Sequence, residues 1–170
     1  MDVSSDTLQK LAARFGEAAW KLTEYATGQP RQVVVPAPQL RAYLEFLKTD
    51  CGFDMLVDVT AVDYLYYRGS TDRFGLVYLL ANTASGERAT IRCFLNEPDL
   101  TVASAVPLWE GANWLEREVY DMFGIEFEGH PDLRRILLPE EFAAFPLRKD
   151  YPLRGRGERH NFQRLTRDQS

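Results

Sequence analysis

Apolar residues recur at helical spacing three times along this chain. Leu8, Leu11, Ala12 and Phe15 share one side of a 3.6-residue repeat, with Ser4, Ser5 or Asp6 as N-cap and Gly16 as the stop. Leu40, Tyr43, Leu44 and Leu47 repeat the pattern after Pro36 and Pro38, and Gly52 follows their end. The third stripe, Leu108, Ala112, Leu115, Val119 and Met122, predicts the longest helix, over residues 109–123. Gly124 stands where a left-handed C-terminal cap belongs.

Between the helices the period shortens to two. Trp20, Leu22 and Tyr25, then Val33, Val34 and Val35, predict two short extended segments around a turn at Gly28–Pro30. Residues 53–67 alternate between a Met55/Val57/Val59/Ala61 face and a Leu56/Asp58/Thr60/Val62/Tyr64 face. After a loop at 68–72, residues 73–82 and 88–95 predict a hairpin around Thr83–Gly86. The run 74–81 is apolar on both faces, as a central strand covered by helices requires. A short helical piece is predicted near residues 101–106.

Beyond Gly124 the periodicity stops, and four of the nine prolines fall in residues 125–170. The fold class predicted is α+β: a two-layer domain over residues 1–124, a mixed sheet covered by helices, followed by an extended C-terminal arm over 125–170. No internal repeat interrupts it.

Composition adds an asymmetry. The net charge is −5, which disfavours whole-surface binding to nucleic acid or anionic lipid. Residues 1–147 hold 13 Lys/Arg against 22 Asp/Glu, a net −9, whereas residues 148–167 hold seven against two, a net +5. An acidic body carries a basic arm. No apolar run approaches the ~20 residues needed to span a bilayer. The N-terminus has neither a signal-peptide nor a transit-peptide pattern, so a soluble chain in a reducing cytoplasm is expected. Cys51 and Cys93 are the only cysteines, too few for four-cysteine cluster or zinc ligation, and the phase of Cys93 with Ile91 and Leu95 makes it a core side chain.

The candidate chemistry concentrates around the third helix. Glu116, Arg117, Glu118 and Asp121 crowd among Trp114, Tyr120 and Phe123, followed by His130 and the pair Arg134, Arg135. Glu118, Asp121 and His130 would be the acid/base set of a hydrolase. However, Glu116 and Glu118 lie about 200° apart on a helix, and Arg117 has Asp121 at i+4, so a paired structural network fits better. Glu116 beside the apolar stripe would need an arginine or a backbone donor, with Arg134, Arg135 or a neighbouring protein as sources. His130, in a Gly-His-Pro turn without a second ligand nearby, suits hydrogen bonding rather than a metal. Phosphate-binding and nucleophile-elbow motifs do not occur. The arm's Arg154-Gly-Arg-Gly157 resembles RGG-type segments, but an acidic protein partner accounts for the same residues.

Three stretches are more specific. ANWLEREVYDMFGI (112–125), GHPDLRRIL (129–137) and PLRKDYP (146–152) resemble the signature of the 30 kDa subunit family, the C subunit of proton-translocating NADH:quinone oxidoreductase, respiratory complex I. The resemblance extends over roughly residues 38–153. It implies a hydrophilic subunit of the peripheral arm without catalytic, cofactor-binding or metal-binding residues of its own. FMN and iron–sulfur clusters would be carried by partner subunits. It further implies packing against the D subunit, with the B and I subunits nearby. A peripheral place on the cytoplasmic side of the bacterial inner (plasma) membrane is implied too, reached only through the complex. Glu116, Arg117, Glu118, Asp121, His130, Arg134, Arg135, Arg148, Lys149 and Tyr151 carry over as signature and interface residues. A form separate from the D subunit is expected, as is a body that stays folded without residues 148–170. The alternative is the equivalent subunit of a membrane-bound hydrogenase, or of a plastid or cyanobacterial-type dehydrogenase.

Overall fold

The computed structural model describes residues 3–23 and 31–157. The turn expected at Gly28–Pro30, Tyr25 and the end of the arm lie outside the described residues. Helix α1 (Ser5–Phe15) starts where the Ser4 hydroxyl accepts the Thr7 N–H and stops at Gly16, whose φ is +84°. Helix α2 (Leu40–Thr49) buries Leu40, Tyr43, Leu44 and Leu47 completely. At ~1.5–3 kcal/mol per buried side chain, that stripe outweighs any intrinsic propensity of a ten-residue helix. Helix α3 (Ala112–Phe123) ends at Gly124 in the left-handed region, with φ +73°.

Strands β1 (Lys21–Thr23), β2 (Gln32–Val34), β3 (Met55–Asp63), β4 (Phe74–Ala81) and β5 (Arg88–Leu95) form one mixed sheet in the order β1-β2-β5-β4-β3. The β4–β5 hairpin is antiparallel, and β2 joins β5 in parallel. In register, Val33, Ile91, Tyr78 and Val59 line one face, and their side chains merge with the stripes of all three helices into one core. Cys93 belongs to that core, and burial pushes its thiol up to about 12. Asp63, in phase with Val59 and Ala61, is the acid that ends this face.

Two expectations are corrected. Strand β3 carries a bulge between Leu56 and Asp58, which reverses the alternation. Met55 and Val57 are therefore exposed while Val59 and Ala61 are buried. The helical piece expected near 101–106 is instead strand β6 (Thr101–Ala103), paired in parallel with β7 (Glu126–Glu128). Six residues after a proline held too little pattern to separate the two readings, and pairing with a strand 25 residues later decided it. Ile125 and Phe127 are buried in the core, so the body's packing continues past residue 124.

Candidate functional site

The signature side chains lie mostly inside the molecule. On α3 the stripe facing the core runs Ala112, Glu116, Val119, Phe123, which places Glu116 at its centre rather than on its flank, with no exposed surface. Glu118, two residues on, is exposed, as the 200° separation requires. Neither Arg134 nor Arg135 serves Glu116. Its carboxylate accepts the Ala105 N–H and the Ser104 hydroxyl, both at 2.6 Å, and Arg41 reaches the same loop by donating to the Ser104 carbonyl at 2.7 Å. Burial dominates over those donors and the Arg41 charge, and it raises the Glu116 carboxyl to about 7.

Asp121 is the second fully buried carboxylate. One oxygen accepts from Arg135 at 2.6 Å. The other accepts three successive backbone N–H groups, from Ile136, Leu137 and Leu138, at 3.1, 2.8 and 2.9 Å. Burial alone would raise this carboxyl, but the Leu138 amide, the Arg135 guanidinium and the other two amides hold it below the usual range. The i,i+4 pair expected between Arg117 and Asp121 does not form. Arg117 instead donates to the carbonyls of Arg134 and Arg135 at 3.1 and 3.2 Å and lies over the Trp114 ring. One turn of α3 thus grips the following chain twice, its cation on carbonyls and its anion on amides.

His130 closes the same latch near the start of α3. Its Nδ1 accepts the Asp132 N–H at 3.0 Å, so Nε2 carries the proton donated to the Asn113 carbonyl, 3.1 Å away. Arg134 pairs at the surface with Asp132. Arg148 binds the other end of α3: it donates to the Phe123 carbonyl at 2.6 Å and to Glu97 at 2.9 Å, with its guanidinium over the Phe145 ring. The Lys149 N–H donates to Asp63 at 2.8 Å, and Tyr151 packs its ring near Phe142.

A second network, invisible in the sequence, fixes this end. Arg73 pairs with Glu97 at 2.6 Å and Asp150 at 2.8 Å, and Glu97 bridges it to Arg148. Asp63 has a sequence signal, its phase on the inner face of β3. Arg73, Glu97 and Ser104 have none, because their partners are distant in the chain. Gly124 sits where the two networks meet. A Cβ there would lie 2.5 Å from the Phe145 ring and 2.8 Å from Arg148, at a φ that L-residues avoid. Gly124→Ala is therefore expected to lose about 2–4 kcal/mol, read as a lower urea midpoint with an unchanged slope.

These carboxylates are closed off from solvent and bound by donors of their own chain. A surface hollow of about 430 Å³ beside the latch, lined by Glu97, Leu100, Glu126 and Arg148 among others, contains neither Glu116, Asp121 nor His130. Among the described residues no three His, Cys, Asp or Glu side chains gather as a metal site. The arrangement binds chain to chain.

The family described as the respiratory-chain NADH dehydrogenase 30 kDa subunit matches residues 33–157. The C subunit of NADH-quinone oxidoreductase from Trichlorobacter lovleyi is 48% identical over 134 residues, covering 79% of this chain and 82% of that one. The C 1 subunit of NADH-quinone oxidoreductase from Rhizobium meliloti is 43% identical over 155 residues, covering 89% and 75%. The trypsin-resistant fragment (1–134) of Nqo5 superposes with a TM-score of 0.66 at 34% identity, covering 74% of this chain and 98% of the fragment. A chain of an archaeal membrane-bound sulfane sulfur reductase shares the fold, with a TM-score of 0.72 at 24% identity over 96% and 95% of the two chains. With an α3-to-arm latch built from the signature residues and matches of this extent, the chain belongs to the 30 kDa subunit family of respiratory-chain NADH dehydrogenases.

Proposed function

We propose that the chain is a non-catalytic subunit of the peripheral arm of NADH:quinone oxidoreductase, where it docks against the D subunit, with the B and I subunits nearby. In that complex, electrons pass from NADH through FMN and iron–sulfur clusters of other subunits to quinone, coupled to proton translocation. This chain contributes position. One observation supports the reading above the others: the signature charges Glu116, Arg117, Asp121, Arg135 and Arg148 are engaged within the chain, on its own backbone and side chains. Groups held this way rigidify a surface and do not meet substrate. Among the described residues no helix is long and apolar enough to cross a membrane. In this proposal, association with the cytoplasmic face of the inner membrane runs through the partners.

Because Arg148 bonds the end of α3 and Lys149 bonds Asp63, the arm is anchored on the body as far as residue 149, and the part assigned here to docking lies beyond it. A chain ending at Gly157 keeps both contacts and is expected to co-purify at least tenfold less with the D subunit. A chain ending at Leu147 also loses the charge-assisted bond on the Phe123 carbonyl, about 1.5–3 kcal/mol, and should melt earlier. Full co-purification of the Gly157-terminated chain would remove the arm from docking.

A further inference from the structure

The latch leaves the outward side of α3 unexplained. Trp114 and Glu118 on α3, and Glu110 four residues earlier in the turn that leads into it, are all three exposed. Trp114 is 62% exposed, although its indole is among the largest apolar groups of the chain. It is also held in place: the Arg117 guanidinium lies 5.3 Å from the ring centroid and is itself fixed by two carbonyls. An aromatic ring ordered before binding loses little rotamer freedom on binding, and tryptophans of this kind dominate interface energies. Around it the carboxylates outnumber the one cation, Arg117, that lies against the ring. Neither Glu110 nor Glu118 has an ion pair or side-chain hydrogen bond among the described residues, and the adjoining cation Arg134 is taken by Asp132 at 2.9 Å. On the arm, Leu137 adds a side chain that is 62% exposed, its N–H bound to Asp121.

We propose that this face is a protein-docking surface, and that its occupant is a basic segment of another subunit of the complex. That segment places an arginine or lysine on each of Glu110 and Glu118 and a flat or apolar side chain on the open side of the Trp114 ring. The choice of occupant follows from charge. Residues 1–147 carry a net −9, so the body of a second copy of the chain, or an anionic lipid surface, would meet carboxylates with like charge. A cationic segment is steered toward the same face, and desolvation beside the indole strengthens each pair.

The inference rests on the assembly role proposed above, and the experiment separates the two. The complex is purified through a tag on a different subunit, and Trp114 is probed by hydroxyl-radical oxidation in the free chain and in the complex. At least tenfold protection is expected in the complex. Trp114→Ala and the double variant Glu110→Lys/Glu118→Lys should each reduce retention of the chain after a salt wash by at least tenfold. As free chains they should melt like the unaltered one, and Trp114→Phe should restore most of the retention. Equal oxidation of Trp114 in both states, with both variants retained normally, overturns the surface and leaves the assembly role standing. Failure of the unaltered chain to co-purify overturns both. Protection that appears in the free chain with rising concentration assigns the face to a second copy and also overturns the proposal.

Discussion

Asp121→Ala is expected to destabilise the chain by about 3–5 kcal/mol, the loss typical of breaking a buried ion pair from one side. The substitution strands Arg135, whose side chain is only 13% exposed, and takes the acceptor from three consecutive amides of residues 136–138. Arg117 would still hold the carbonyls of Arg134 and Arg135, so the arm is expected to detach from residue 136 onward while α3 persists. Amide exchange should therefore accelerate first at Ile136, Leu137 and Leu138. The pH dependence has a fixed sign. An unfolded aspartate titrates near ~3.9, and the folded Asp121 is held lower, so its contribution is complete above that value and disappears as pH falls through the folded one. The stability difference between the two chains should be constant above about pH 5 and shrink below about pH 4. A difference under about 1 kcal/mol at neutral pH would mean that Asp121 does not organise the arm.

Glu116 acts with the opposite sign. Its carboxyl is raised to about 7, while an unfolded glutamate titrates near ~4.3. Between those values the folded chain keeps a proton that the unfolded chain releases. Stability is expected to fall as pH rises through this window, by up to about 1.4 kcal/mol per pH unit and about 4 kcal/mol in all, then level off above pH 7. Glu116→Gln should abolish the slope. A glutamine can accept the Ala105 N–H with its oxygen and donate to the Ser104 hydroxyl with its nitrogen, keeping both contacts without a buried charge. The variant is expected to equal the parent below about pH 4 and to exceed it by up to about 4 kcal/mol at pH 8. Parallel stability profiles for the two chains would show that Glu116 is ionised throughout. The fully buried Tyr78 hydroxyl, without a hydrogen-bond partner among the described residues, belongs to the same interior, and the Glu116 charge adds to burial in raising it.

Much of the body was legible from periodicity, because helices α1, α2 and α3 and the β4–β5 hairpin each bury a face that repeats within a dozen residues. What escaped depends on distance in the chain. The parallel pairings of β2 with β5 and of β6 with β7 join segments that carry no mutual signal. The β3 bulge shifted one residue and exposed Met55 and Val57, which no alternation rule foresees. At the site, the charged cluster on α3 announced a paired network, and the opposed directions of Glu116 and Glu118 followed from helix geometry. The partners did not. Asp121 is satisfied chiefly, and Glu116 by half, through backbone N–H groups, which every residue but proline carries and which therefore leave no trace in side-chain identity.

The central claim is that these signature charges shape the subunit and take no part in electron transfer. It is tested most directly by measuring NADH:quinone turnover per assembled complex, alongside the amount of complex assembled, in cells carrying Asp121→Asn or Glu116→Ala. Less complex, each copy turning over at the unaltered rate, is the result expected. Normal assembly with turnover abolished would contradict the account and give these carboxylates a chemical role.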